Sequence, residues 1–389
     1  MRVLHIGKYF PPDAGGIETY CRDLLTGFAD TDVNCRMQVF HRPGTAPPDH
    51  PAVVPVATRG EFLFTPLAPD FSATFARQLA EFRPELIHVH VPNPAVFRLL
   101  RQPGARHLPW VATWHSDVVP SRYALGLKLA YPAYRVLEKR LLKRLASVLF
   151  TSPDYAEASP ASADVTRYDV VPLGIDATRL TPRAAVSWPG TGGKKVAAVG
   201  RFTYYKGFDR LLAALAGIPD VSLLLLGSGQ LEDRVRQQID RLGLKSRVTL
   251  ISDASDAQRN QAIAEADCLC LPSIERTEAF GLVLLEAMGL GTPVVATRIP
   301  GSGVPWVVES GGHGVLAAPD NVESLRAALS QVLEDEALRA RLSAKAEENF
   351  PRFRIEHTVR ELARIYREVM DQAGGTTGSD PDLSPQKRL

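Results

Sequence analysis

The 389-residue sequence predicts an α/β protein of two domains, each built on a parallel sheet. Three observations lead there. Short apolar segments of strand length alternate with amphipathic segments of helix length in both halves. A stretch without periodicity, TPRAAVSWPGTGGKK at 181–195, is rich in Pro, Gly and Ser and reads as a linker between them. The residues able to carry chemistry cluster just after the strand segments, where open α/β sheets bind ligands.

In the first half RVLHIG is a buried strand and IETYCRDLLTGFA a helix. CRMQVF, FSATFARQLAEF, LIHVHV and PWVATW follow, then a long helical stretch to Arg144 and the strand SVLFTS. In the second half KVAAVG, FDRLLAALA, VSLLLLG, LEDRVRQQIDRLG, RVTLI, AQRNQAIAEA, CLCLPS, GLVLLEAMGL and TPVVAT repeat the pattern. Short strands with helices between them need right-handed crossovers and a parallel sheet, so each half is Rossmann-like. The expected domains are 1–185 and 194–352. The helix within 353–372, RIEHTVRELARIYREVM, is expected to cross back to the first domain. Residues 373–389 have the composition of a disordered tail. Two such domains facing each other would place the site in the cleft between them.

Composition narrows the function classes. Apolar residues make up 45% and charged residues 23%, as in globular chains. The net charge of +2 argues against bulk nucleic-acid binding. Cys21, Cys35, Cys268 and Cys270 form no CxxC and read as reduced, buried thiols of a cytoplasmic protein. MRVLHIGKYF reads as a strand and not as a secretion signal. No apolar run approaches the ~18 residues that span a bilayer.

Four stretches carry candidate chemistry. In GKYFPPDAGGIETY, Gly15-Gly16 opens a helix with Glu18 in its first turn. Glycines there let backbone N–H groups approach a phosphate or sugar, while the ordinary reading is a plain strand-to-helix turn. In VGRFTYYKGFDRLL, Gly200 ends a strand, and Arg201 and Lys206 lie in the loop that follows. An Arg fork and a Lys point charge suit a diphosphate; solvated surface charge is the alternative. PWVATWHSDVVP puts His115 at a strand end, to orient a substrate hydroxyl, act as a base, or serve structure alone. Asp117 has the same ambiguity. In ERTEAFGLVLLEAMGLGTPVVAT, Glu278 precedes a helix and Glu286 lies within it. Ala279, Phe280 and Gly281 present N–H groups at its start. One extended nucleotide sugar would touch both carboxylates, although a helix cap plus a surface glutamate would have the same spacing.

No dinucleotide fingerprint is present: GSGQLE at 227–232 lacks the last glycine of GxGxxG. The two DxD tripeptides, Asp30-Thr31-Asp32 and Asp380-Pro381-Asp382, read as chance matches to a metal motif.

Taken together, GGIE (15–18), HSD (115–117), VVPLGID (170–176), VGRFTYYKG (199–207), GSG (227–229) and the E-x7-E element from Glu278 to Glu286 resemble the retaining glycosyltransferases of family GT4, with the GT-B fold. The resemblance runs in order from about residue 1 to 370. It implies that Gly16, beside Gly15, lies by the donor phosphate. Arg201 and Lys206 would stabilise the departing nucleoside diphosphate. Glu278 would hold sugar hydroxyls, aided by the amides of Phe280 and Gly281, with Ala279 and Leu282 beside them. Glu286 would bind the ribose, His115 the transferred sugar, and the base would rest near Ile251, with Gly200 and Gly227 also lining the donor. No metal or other cofactor is implied, because the two cations neutralise the leaving group. Retention by same-face attack leaves Glu278 without a covalent role. Where the family usually shows a glycine after the strand RVTLI, this chain has SDASDAQ, which would reshape the base pocket.

The implied partners are a nucleotide-sugar donor, with GDP-mannose ahead of UDP-hexoses, and a saccharide or polyprenyl-linked acceptor of envelope polysaccharide synthesis. The stretch 121–150 holds seven Lys+Arg and one Glu, which suits an anionic membrane surface or simply a solvated helix face. Such a protein would be cytoplasmic, peripheral on the inner face of the plasma membrane. An epimerase or a phosphorylase would share the architecture but not the E-x7-E run or the chain length. A non-catalytic sugar-nucleotide-binding subunit would be expected to lose some of Arg201, Lys206 and Glu278.

Overall fold

A computed structural model describes residues 1–13, 15–62, 65–118, 125–190 and 193–375. The chain divides into two compact units, Met1–Gly174 with Ile355–Leu389, and Ile175–Arg354.

The first unit carries β1 (Arg2–Ile6), β2 (Asn34–His41), β3 (Val53–Ala57), β4 (Glu61–Phe62), β5 (Thr65–Pro66), β6 (Leu86–Val91), β7 (Trp110–Trp114), β8 (Ser147–Phe150) and β9 (Tyr168–Val170). Seven of them form one parallel sheet in the order β3-β2-β1-β6-β7-β8-β9, and β4 pairs with β5 antiparallel. Every residue of β6 is buried, as a parallel strand covered on both faces requires. The helix Gly16–Phe28 buries Tyr20, Cys21, Leu24, Leu25 and Phe28 along one stripe. The helix Ile355–Gly375 belongs to this unit. Tyr366 stacks on Phe28, Thr358 bonds the Pro172 carbonyl at 2.9 Å, and Arg167 holds Glu368 at 2.7 Å.

The second unit carries β10 (Lys194–Val199), β11 (Val221–Leu226), β12 (Val248–Ile251), β13 (Cys268–Leu271), β14 (Val294–Thr297) and β15 (Gly314–Ala317). Its parallel sheet runs β12-β11-β10-β13-β14-β15. One face packs Leu223, Leu225, Cys268 and Cys270 against the helices Phe208–Ala216 and Val322–Glu334. All four cysteines of the chain are buried and unpaired.

The first unit ends at residue 174, upstream of the stretch 181–195 expected as a linker. Residues from 175 onward are tied into the second unit. The Ile175 N–H bonds the Phe353 carbonyl at 3.0 Å, and the Asn260 side chain bonds the Arg179 carbonyl at 2.7 Å. The expected linker is itself partly packed. Val186 and Trp188 lie against Leu224, Leu226 and Ala262 on the second sheet's other face, and Trp188 Nε1 donates to Glu265 at 2.8 Å. Apolar Val and Trp in a Pro/Gly-rich stretch gain more from burial than from solvent.

Among the described residues no helix is long and apolar enough to cross a membrane. The basic stretch 121–150 is less free than its count implies, and residues 121–124 lie outside the described residues. Arg135 pairs with Glu138 and Asp164, Lys139 reaches Asp164 at 3.5 Å, and Arg144 donates to the carbonyls of Ala105, Arg106 and Leu108. Arg140, Val136 and Leu137 are exposed on the helix Leu125–Leu142, and Lys143 is exposed just after it.

Candidate active site

In each sheet the strand order reverses once, between β1 and β6 and between β10 and β13. Loops at such a point splay apart and leave room for a ligand beyond the strand ends. The candidate residues fall at these two points.

In the second unit the loop after β10 meets the loop after β13. Gly207 makes the approach possible. It sits at φ +65°, and a Cβ there would stand 2.1 Å from the Pro272 carbonyl oxygen. The Ile274 N–H bonds the Tyr205 carbonyl at 2.8 Å and locks the two loops. Lys206 Nζ then donates to Glu278 Oε2 at 2.5 Å, and Ser273 Oγ donates to the same oxygen at 2.9 Å. Burial alone would lower the Lys206 pKa, but the Glu278 carboxylate beside it outweighs this and raises it, so the ammonium keeps its proton. Arg201 is exposed on the same loop and close enough to Lys206 to oppose its charge. Two cations and one carboxylate therefore share one strand edge.

The neighbouring strand ends are stitched to this loop. The Gly200 N–H bonds the Leu226 carbonyl at 3.0 Å, and the Gly227 N–H bonds the Ile251 carbonyl at 2.9 Å. Gly227, at φ +138°, lies so close that a Cβ would stand 2.1 Å from the Gly200 carbonyl oxygen. Gly200, Gly227 and Ile251 thus line adjacent ends of β10, β11 and β12. After Ile251 the helix Asp256–Glu265 is opened by a capping box between Ser255 and Gln258, which accounts for Ser and Gln in SDASDAQ.

The helix Leu282–Gly289 starts after Gly281 in the left-handed region, without a side-chain cap. The N–H groups of Ala279, Phe280 and Gly281, just before this helix, find no acceptor among the described residues. Glu286 is not the surface glutamate its spacing also allowed. It is 5% exposed and held by Arg179 at 2.9 Å and Arg259 at 3.5 Å. Burial would raise its pKa, but the two guanidiniums lower it, so it is an anion. Sequence reasoning missed both arginines; Arg179 lies 107 residues from Glu286, beyond any spacing rule.

In the first unit Gly16 begins its helix, and the Glu18 carboxylate folds back over Gly15, where a Cβ would stand 2.1 Å from Oε2. His115 follows β7, and its N–H bonds the Val91 carbonyl at 2.9 Å. Asp117 is structural: it accepts from Trp114 Nε1 at 2.8 Å and Ser159 Oγ at 2.7 Å.

The histidines around His115 were missed. His5 of β1 and His88 and His90 of β6 are buried with it. His5 Nδ1 meets His90 Nε2 at 3.2 Å, and His90 Nδ1 meets His115 Nε2 at 3.0 Å. His88 bonds the Tyr366 hydroxyl at 2.5 Å and Thr113 Oγ1 at 2.8 Å. Burial lowers all four pKa values, that of His90 to about 3, so the rings are neutral at pH 7. The only sequence signal was the alternation HVH in a strand, which places two polar rings on one face.

Two family models match the chain: "Glycosyltransferase Family 4" over residues 14–179 and "Glycosyl transferases group 1" over 186–349. A phosphatidyl-myo-inositol mannosyltransferase of Mycolicibacterium smegmatis is 27% identical, covering 95% of this chain and 94% of its own length. A D-inositol 3-phosphate glycosyltransferase of the same organism is 32% identical, over 92% and 87%. The solved sucrose-phosphate synthase of Thermosynechococcus elongatus superposes with a TM-score of 0.78 at 24% identity, covering 95% of this chain and 99% of that one, which identifies the fold as GT-B. The order of the motifs, the strand-end chemistry and these likenesses agree, and the chain belongs to glycosyltransferase family 4.

Proposed function

We propose that the protein moves a hexose, mannose first, from a nucleoside-diphosphate sugar to a saccharide or polyprenyl-linked acceptor in envelope polysaccharide synthesis, with retention and without a metal. The observation that carries this is the Lys206–Glu278 pair at the end of β10 and β13 with Arg201 beside it. Breaking an anomeric bond leaves a diphosphate, and the held Lys206 with Arg201 beside it would stabilise that charge as it develops. They do what a bound divalent ion does elsewhere. The names of relatives that transfer mannose favour that sugar.

The remaining roles follow from chemistry. Glu278 gives Oε2 to Lys206 and Ser273, which leaves Oε1 to accept from sugar hydroxyls. A carboxylate neutralised by an ammonium is a poor nucleophile, in keeping with same-face attack in which the donor phosphate takes the acceptor proton. Glu286, held by its arginines, is pre-set to accept from ribose hydroxyls with its remaining lone pairs. The base lies against Gly227 and Ile251. Gly15 and Gly16 meet the donor phosphate, and His115 meets the transferred sugar. Arg140, Lys143, Val136 and Leu137 offer anionic lipid a small basic and apolar patch.

The first experiment is a thermal-shift titration with GDP, UDP, ADP and dTDP. A ligand of the native state raises the midpoint by mass action. One nucleotide is expected to stabilise the protein and to lose its effect in Arg201→Ala. No shift with any of them would remove the donor site. Transfer assayed in excess EDTA is expected at the full rate; a strict metal requirement would contradict the mechanism.

A further inference from the structure

Three of the buried histidines, His5, His88 and His90, bring ring nitrogens within 4.8 Å of one another, as metal ligands do. Their ring planes argue against a metal. They are inclined by only 10° for His88–His90, 24° for His5–His90 and 33° for His5–His88. Imidazole lone pairs lie in the ring plane, and nearly parallel planes do not converge on one ion. His88 and His90 also spend both nitrogens on hydrogen bonds.

The arrangement suits a chain of tautomers. His5, His90 and His115 are joined edge to edge, with 24° and 18° between successive planes. A neutral imidazole has one N–H and one bare nitrogen, and each hydrogen bond needs one of each. The three rings therefore have two consistent states. Either all carry the proton on Nε2, or all carry it on Nδ1. The first leaves a bare Nδ1 at His115 and an N–H at His5 Nε2; the second reverses both ends. Both terminal atoms are buried and without a partner among the described residues.

The two ends are not equivalent. His5 lies inside a strand, fully buried beside the rings of Phe28, His88 and Tyr366. A buried N–H without an acceptor is the rarer and costlier orphan in folded chains, so the bare nitrogen belongs there. His115 lies just past the end of β7, beside the reversal point where such sheets bind ligands, and is 5% exposed, although its Nδ1 is itself covered in this structure. We propose that His5 and His90 are positioning residues that lock His115 in the Nδ1–H tautomer, making it a donor to an oxygen of the bound sugar. The proposal rests on His115 facing the transferred sugar.

The test is long-range 1H–15N correlation on protein labelled with 15N-histidine at pH 7.5, with His115 assigned through His115→Asn. His115, His90 and His5 are expected to show protonated Nδ1 and bare Nε2. A bare Nδ1 on His115 in the unmutated protein overturns the proposal, and this reading needs no other variant to fold. His90→Phe cuts the chain, so His115 should move to a mixture of tautomers; an unchanged His115 spectrum would overturn the lock. Titration with zinc alone should leave the resonances in place, and a joint shift of His5, His88 and His90 would overturn the proposal in favour of a metal site. Nucleotide binding is read in the second unit. Its absence would defeat the donor site without moving these signals.

Discussion

The two units share one plan, a parallel sheet whose order reverses beside its first strand, yet the two reversal points carry opposite chemistry. In the second unit the point is ionic, with Lys206 against Glu278 and Arg201 in solvent beside them. In the first, the strands on either side of the point carry neutral, buried imidazoles bonded to one another and to hydroxyls, with the Glu18 carboxylate only at the helix start beyond them. A charged site that must meet a charged ligand can be kept half-buried by pairing its own ions. A site that handles uncharged hydroxyls does better with groups whose donor and acceptor ends are fixed in advance. The same scaffold thus supports either, and the side chains in a few loops decide which.

The largest expected effect lies at the ionic point. Arg201→Ala and Lys206→Ala should each lower turnover at least ~100-fold in a transfer assay, the scale of losing one charge-stabilising group. They should differ in stability. Lys206→Ala strands the Glu278 carboxylate and should destabilise by about 2 kcal/mol, less than a fully buried pair because both side chains keep slight solvent contact. The double variant Lys206→Met/Glu278→Gln should recover the melting temperature but not the activity. Recovery of both would make the pair structural. Arg201→Ala should leave the melting temperature unchanged, because Arg201 is exposed.

Next in size is Gly207→Ala, which puts a methyl against the Pro272 carbonyl in a left-handed backbone. Calorimetry should show a loss of at least ~1 kcal/mol, with nucleotide affinity falling as Lys206 is displaced. Unchanged affinity would mean that the loop contact does not position the lysine.

The smallest effect separates the units by pH. His5, His88, His90 and His115 of the first unit have pKa values below the unfolded value of about 6.5. The unfolded chain therefore binds more protons between 6.5 and the folded values, about 3 for His90. Stability is fully present above 6.5 and falls as the pH drops through that window. The second unit holds one histidine, His313, which burial lowers to about 4. Hydrogen exchange at pH 5 compared with pH 7.5 should show the first unit loosening more than the second. Equal loosening would contradict the pKa directions.

Most strands and many helices were legible in the sequence because they are buried and periodic. LIHVHV and VSLLLL lie within their sheets and could be read directly. The strands left out are short or lie at sheet edges. VVPVA at β3 contains Pro55, which only an edge strand tolerates, and GVLA at β15 is half-buried and begins with glycine. YDV at β9 has three residues, too few for any period. The helices Gly303–Gly311, Val322–Glu334 and Glu336–Asn349 also went unread. At the site, residues within one loop were readable as motifs. Arg179 and Arg259 on Glu286, and the partners of His115, come from distant segments that only the packed sheet brings together.

The helix Ile355–Gly375 returns to the first unit after the whole second unit has been spelled out. Its Tyr366 covers Phe28 and bonds His88, so one wall of the first unit's core arrives last. During synthesis the ribosome releases every residue of the second unit before that wall, so the second unit is free to finish first. The first unit must wait, with Phe28 and its histidines uncovered, until this helix clears the exit tunnel. A premature stop near residue 354 would therefore damage the half of the protein translated earliest.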